Sequence, residues 1–197
     1  MDLILSTRNQ SKAEQIKAVL GTLPLRILTL EDVGVTAEVV EDGSTLEENA
    51  LKKAHFACRL TSRWAVADDT GLFIDVLNGR PGIHAARWAG RDKTTEEIMR
   101  YTLKVLKDAL PHQRTATFRT VAVAVSPQGQ EHIFVGEAKG VLLAGPRCVP
   151  QPKMPYSAIF VPDGQPKVWA EMSVEEENAI SHRGKAFRQL REFLSEL

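Results

Sequence analysis

The chain has no excess of either charge. Lysine and arginine number 25 together, as do aspartate and glutamate, so the 197 residues sum to a formal charge of zero. A general binder of nucleic acid or of a membrane surface carries a visibly basic face or total, so neither is expected as a partner. A small anionic ligand needs only a local group of cations, which a neutral total permits. Cysteine is also scarce: Cys58 and Cys148 make neither a disulfide framework nor a metal motif. Free thiols in a reducing, cytoplasmic setting are the expectation. No apolar run approaches the length that spans a bilayer. Met1–Thr7 lacks the basic start and the apolar length of a secretory signal. Repeats and low-complexity linkers are absent too, and residues 1–197 read as one α/β domain.

What the chain does have is a pair of adjacent acids in an apolar setting. The run Trp64–Ala67 breaks into Asp68 and Asp69, then Thr70-Gly71, before a second apolar segment, Leu72–Ile74. This pattern predicts a strand that ends in paired acids and a glycine turn. Neighbouring carboxylates repel, and each is costly to desolvate without a cation or donor. Two readings stand side by side. The acids begin a solvated turn, or they hold a hard divalent ion while one carboxylate serves as a base.

Taken in order, Leu3–Ser6 predicts a strand feeding the polar turn Thr7–Ser11, and from Lys12 a helix buries Ile16, Val19 and Leu20. A strand, a polar turn and a helix start make an anion site, with the Asn9 amide and the Lys12 charge at hand. Alternatively, Asn9 or Ser11 merely caps the helix. Leu25–Leu30 is a second strand, and the acidic passage Glu31–Asp42 is a connection with another strand at Val39-Val40. Ser44 or Thr45 starts a helix with the apolar stripe Leu46, Ala50, Ala54, Ala57 and Leu60, leaving Lys52 and Lys53 off it. Glu41, just before that cap, is either a dipole partner or shares a cation with Asp69 across a cleft. Thr94 caps a helix with the stripe Ile98, Tyr101, Val105 and Leu106. Ala116–Ser126 turns at Gln128-Gly129 into a strand at His132–Val135, and a further strand covers Gly140–Leu143. Gly145–Ser157 holds four prolines and is a loop; Ala158–Val161 resumes the sheet. The lone His84 is a surface or packing residue. Ser173 and Ser181 cap the last two helices, and the final one buries Ala186, Phe187, Leu190, Phe193, Leu194 and Leu197. His182 and Arg183 stand in its first turn, against the dipole preference, which an anion or polar ligand there would explain.

Four segments carry a resemblance: STRNQSK at 6–12, EDGSTLEENA at 41–50, VADDTGLFIDVLNGRPGIHAARWAG at 66–90, and AEMSVEEENAISHRGKA at 170–186. In order and spacing they closely resemble the inosine/xanthosine triphosphate pyrophosphatase family. The resemblance implies a mixed α/β fold of two lobes around a central nucleotide cleft, and a homodimer. It also implies magnesium-dependent hydrolysis of deaminated purine triphosphates (ITP, dITP, XTP) to the monophosphate and pyrophosphate. The implied triphosphate turn comprises Thr7, Asn9 and Lys12, with Arg8, Gln10 and Ser11 between them. Glu41 and Asp69 match the metal-associated acids, Asp69 also the general base, and Thr70 a substrate contact. His182 and Arg183 match the pair that reaches the 6-oxo edge of the base.

Departures gather on the base side. The family usually carries GFGYDPIF where this chain has KMPYSAIF at 153–160. Tyr156 is kept, while Met154 replaces the stacking aromatic, Pro155 a glycine and Ser157 an aspartate. Glu177 stands where a base-contacting lysine is usual. The pattern implies retained phosphate chemistry with altered or loosened base recognition. A second reading is a family member that binds a nucleotide with weak or no turnover.

Overall fold

The structure is a computed structural model and describes residues 1–197. In chain order the main elements are β1 (Asp2–Leu5), α1 (Gln10–Leu20), β2 (Arg26–Thr29), α2 (Leu46–Thr61), β3 (Trp64–Ile74) and β4 (Pro81–Gly82). There follow α3 (Thr95–Val105), β5 (Thr115–Val125), β6 (Glu131–Leu142), β7 (Phe160–Pro162), α4 (Val174–Ile180) and α5 (His182–Ser195). One mixed sheet runs in the order β2-β1-β3-β5-β6-β7, with β4 added to β3. β1 is parallel to β2 and β3, and the remaining pairs are antiparallel. No helix is long and apolar enough to cross a membrane.

Alternation along the strands sorts the core. Leu3, Leu5 and Val66 face α1 and α5, packing on Ile16, Leu20, Phe187 and Leu190. Ile4, Ala65 and Ala67 face the opposite way, against the alanine stripe of α2. Small residues there let α2 lie close to the sheet. The far halves of β3 and β5 carry a separate core, with Leu72, Ile74, Phe118, Phe160 and Trp169. The two long strands thus join two packed ends, and the cleft opens between them.

The paired acids do not end a strand. Asp68, Asp69, Thr70 and Gly71 lie in the middle of the 11-residue β3, paired with Ala122, Val121, Thr120 and Arg119 of β5. That partner lies some fifty residues away, so local turn chemistry loses to a non-local ladder. Gly71 is needed for close approach: a Cβ there would lie 2.9 Å from the Gly82 carbonyl oxygen. The other edge of β3 explains the cleft. β1 pairs with it only through Val66, and β4 begins at Leu72. Between those limits the strand has a neighbour on one side only. A crevice past the end of a parallel strand is a general ligand site in α/β sheets, and Asp69 lines it.

Other expectations also shift. Val39-Val40 forms no strand, and the two strands expected over residues 132–143 are one, β6. Leu60, Tyr101, Val105 and Leu197 are exposed rather than buried. The α2 stripe drifts onto Cys58 and also takes in Lys53, while α3 buries Met99 and Thr102 instead. Caps were more legible, being local. Asn9 accepts from Lys12 N, Thr45 from Glu48 N and Ser181 from Gly184 N, and both Thr94–Glu97 and Ser173–Glu176 close as capping boxes.

α5 docks so closely that glycine is required at its start. A Cβ on Gly184 would lie 1.9 Å from the Asn178 carbonyl oxygen. Gly184→Ala is expected to lower stability by about 1–3 kcal/mol, the usual range for overpacking, read as a drop in Tm. An unchanged Tm would mean that α4 and α5 separate freely.

Candidate active site

A cavity of about 430 Å³ occupies the crevice beside β3. Its walls come from the β1–α1 turn, the 37–41 connection, α2, β3, the 151–157 loop and the α4–α5 corner. Lys12 and Asp69, expected on facing walls, both reach it. Asp69 lines the cavity and Asp68 does not, and the two adjacent acids have opposite surroundings. The Asp68 side chain is 1% exposed, 3.0 Å from Lys12 Nζ and 3.5 Å from Arg183 Nε, both measured to Oδ2. Thr70 Oγ1 donates to the same oxygen at 3.3 Å. Burial would raise the Asp68 pKa, but Lys12, Arg183 and Lys53 outweigh it and hold the carboxyl well below the usual range.

Asp69 points to the other side of the strand, toward α2. Asn49 Nδ2 donates to its Oδ2 at 3.2 Å, and Lys53 Nζ lies 3.5 Å from its Oδ1. The same ammonium lies 3.2 Å from Glu41 Oε2, so Lys53 stands between the two acids. Burial raises the Asp69 pKa; Lys53 and Lys12 oppose this, Glu41 and Asp68 reinforce it, and the net direction is up. Sequence reasoning missed Lys53. Its signal was a lysine three residues past Ala50, on the stripe that faces the sheet.

Thr7, Arg8, Asn9 and Lys12 line the cavity; Gln10 and Ser11 do not. Ser11 Oγ instead donates to the Pro152 carbonyl at 3.1 Å, and Gln10 is simply the first residue of α1. Arg8 donates to the carbonyls of Thr36 at 2.7 Å and Ala37 at 2.9 Å, which pins the connection leading to Glu41. Asn9 both caps α1 and donates from Nδ2 to the Lys153 carbonyl at 3.3 Å, which ties the turn to the proline-rich loop.

The comparisons with known proteins bear on the whole chain. A dITP/XTP pyrophosphatase of Geobacter sulfurreducens is 40% identical over 192 residues, covering 98% of this chain and 96% of the relative. One of Streptomyces coelicolor is 41% identical over 197 residues, covering 99% and 98%. A solved HAM1 protein from Coxiella burnetii superimposes with a TM-score of 0.87 at 32% identity, covering 100% of both chains. The Ham1 family model matches residues 3–193. The chain belongs to the Ham1 family.

The residues that the resemblance assigns to the base side share this cavity. Tyr156, Met154, Ser157, Glu177, His182 and Arg183 all line it. Several of their polar groups are already engaged. The Tyr156 hydroxyl donates to the Ala85 carbonyl at 2.7 Å. Ser157 Oγ accepts from Gln151 N and donates to the Met154 carbonyl, each at 2.8 Å, bracing the loop from within. His182 stacks on Phe118 with centroids 4.7 Å apart. Burial and the nearby charges of Arg183 and Lys12 push its pKa well below the ordinary value, so the ring is neutral. Its Nδ1 is buried without a partner. Arg183 donates to Gln15 Oε1 at 2.5 Å and to Thr70 Oγ1 at 3.4 Å, so base side and floor share one guanidinium. Gln15 was also missed, although it falls on the face of α1 that carries Lys12 and Val19.

Glu41 and Asp69 suit a magnesium ion by donor chemistry. No group of three or more His, Cys, Asp or Glu forms a closed metal cage. Magnesium at phosphate sites commonly takes one or two carboxylates and completes its shell with substrate oxygens and water. Two cavity carboxylates converging on one cation, Lys53, match that need.

Proposed function

We propose that this Ham1 protein hydrolyses dITP, ITP and XTP to the monophosphate and pyrophosphate, with magnesium. The observation that carries the reading is a single cavity in which Lys12, Lys53, Glu41 and Asp69 stand next to the buried pair His182 and Arg183. The two relatives above bear the name dITP/XTP pyrophosphatase and share about two-fifths of its residues.

Each residue has a role in this chemistry. The β1–α1 turn and Lys12 bind the triphosphate, and Lys53 adds a second charge where negative charge builds in the transition state. Glu41 and Asp69 would hold the ion, which when bound neutralises phosphate charge and polarises the phosphorus under attack. Asp69 orients a water molecule toward the α-phosphorus and takes its proton. Asn49 fixes its orientation. Arg183, with Nη protons left over from Gln15 and Thr70, donates to the 6-oxo group of the base. Adenine would present an amino group there and leave a donor unpaired, a mismatch of roughly 1–3 kcal/mol. The protein acts as a homodimer in the cytoplasm, a setting that suits its two unpaired cysteines; light scattering should give twice the chain mass.

Pyrophosphate release from ITP, dITP, XTP, ATP and GTP, with and without magnesium, tests the reading. Magnesium-dependent release from the three deaminated substrates, well above ATP, is expected. Tight nucleotide binding without product would favour a binding protein, and release of free phosphate would place cleavage at the wrong bond.

A further inference from the structure

Glu177 is anomalous on physical grounds alone. It is 2% exposed, yet it lies on the cavity wall and enters none of the ion pairs of the chain. A glutamate buried this far is almost always paired. Its carboxylate accepts from Gln151 Nε2 at Oε2, 3.3 Å away, with the Gln15 amide also close enough to act on it. Beside it Gln151 Oε1 is buried with no partner at all. Burial pushes the Glu177 carboxyl up, against the pull of the Arg183 charge and of the Gln151 and Gln15 amides. A buried polar group that a fold leaves this poorly satisfied costs stability unless something else satisfies it. The open side of this one is the cavity.

What belongs there is a donor that sits next to an acceptor. Glu177 lies in α4 and Arg183 in the first turn of α5, at the two sides of the Ser181 corner. Both line the cavity, and the Arg183 charge acts on the Glu177 carboxyl, so an acceptor and a donor share one wall. A 6-oxopurine shows the complementary pair: a C6 carbonyl that accepts and, next to it, an N1–H that donates. Adenine shows the reverse, with an amino group at C6 and a bare lone pair at N1.

We infer that Glu177, held by Gln151, accepts the N1–H of a 6-oxopurine while Arg183 donates to its C6 oxygen. This rests on the function proposed above and adds a second, charge-based test of the base. An adenine N1 lone pair would face a carboxylate and be repelled by it. Guanine shares both groups with hypoxanthine, so the pair does not separate those two.

The test compares kcat/KM for ITP and ATP in the wild type and in Glu177→Gln. An amide accepts from N1–H and can also donate to a bare N1. The ITP:ATP ratio is therefore expected to fall about tenfold or more, within the range for a lost polar match. A merely structural Glu177 would lower both substrates by one factor and leave the ratio unchanged, which would overturn the inference. Should Glu177→Gln fail to fold, the wild type still decides. It should use 1-methyl-ITP, which lacks the N1–H, at least about 100-fold less well than ITP; equal use would overturn the inference. Calorimetry with IMP, 1-methyl-IMP and AMP separates the two levels. A wild type that prefers IMP but releases no pyrophosphate from ITP would lose the catalytic reading and keep this one. One that binds IMP, 1-methyl-IMP and AMP alike would lose this inference whether or not it turns over.

Discussion

Asp69→Asn is expected to lower kcat for pyrophosphate release by about 10²–10⁴-fold, the usual contribution of a positioned general base. The variant should also be more heat-stable than the wild type at neutral pH, read as a rise in Tm. Both effects have one cause. Asp69 ionises in a buried place beside Glu41 and Asp68, and this raises its pKa above the ordinary 3.8. A raised carboxyl costs the folded state free energy at any pH above the shifted value. Asparagine removes that cost and retains an oxygen for the Asn49 amide. The sign reverses nowhere, but the advantage fades. As the pH falls through the raised value the wild type takes up its proton and recovers. Below the unfolded-state value both states are protonated, and the two proteins should melt alike as far as this group is concerned. Thermal melts across that range, with steady-state assays at neutral pH, check the pair of effects. A variant with full activity would remove Asp69 from the base role.

Asp68→Ala should do the opposite to stability. Its carboxylate is buried against Lys12 at 3.0 Å and Arg183 at 3.5 Å. Removing it leaves two cations in the protein interior with no counter-charge. Breaking a buried pair in this way typically costs about 3–5 kcal/mol, which corresponds to a Tm lower by about 6–20 °C. Here the folded pKa is depressed below 3.8. The stabilisation is therefore complete above the unfolded-state value and is lost as pH falls through the folded one. The gap between variant and wild type should be full at pH 7 and shrink only in strong acid. A drop of less than about 2 °C, equivalent to under about 1 kcal/mol, would mean that water replaces the carboxylate and that the pair is not truly buried. Two acids adjacent in sequence thus predict opposite changes, because β3 sends their side chains to opposite faces.

That opposition was not legible in the sequence. The doublet Asp68-Asp69 next to Thr70-Gly71 reads locally as a turn, and only the ladder to β5 makes it a strand interior. Elements whose signals are local came through. The capping residues Thr94 and Ser173, the helical stripe of α1 and the alternation in β5 each depend on neighbours within a few residues. Tyr101 and Val105 were misplaced because α3 buries only a narrow stripe of Ile98, Met99 and Thr102, so a period that fits a full face overstates what is covered; Tyr101 meets Trp88 edge-on instead. At the candidate site the types of residue were visible but their contacts were not. Nothing in the sequence tells that Lys53 separates Glu41 from Asp69, or that Arg183 reaches both Gln15 and Asp68. These are meetings of segments up to 168 residues apart.

The most direct measurement is hydrolysis of ITP in heavy-oxygen water with magnesium present, followed by mass spectrometry of both products. Water directed by Asp69 onto the α-phosphorus leaves its oxygen in IMP and none in pyrophosphate. Label in pyrophosphate, or in free phosphate, would mean that the acids and cations of this cavity direct attack at a different phosphorus.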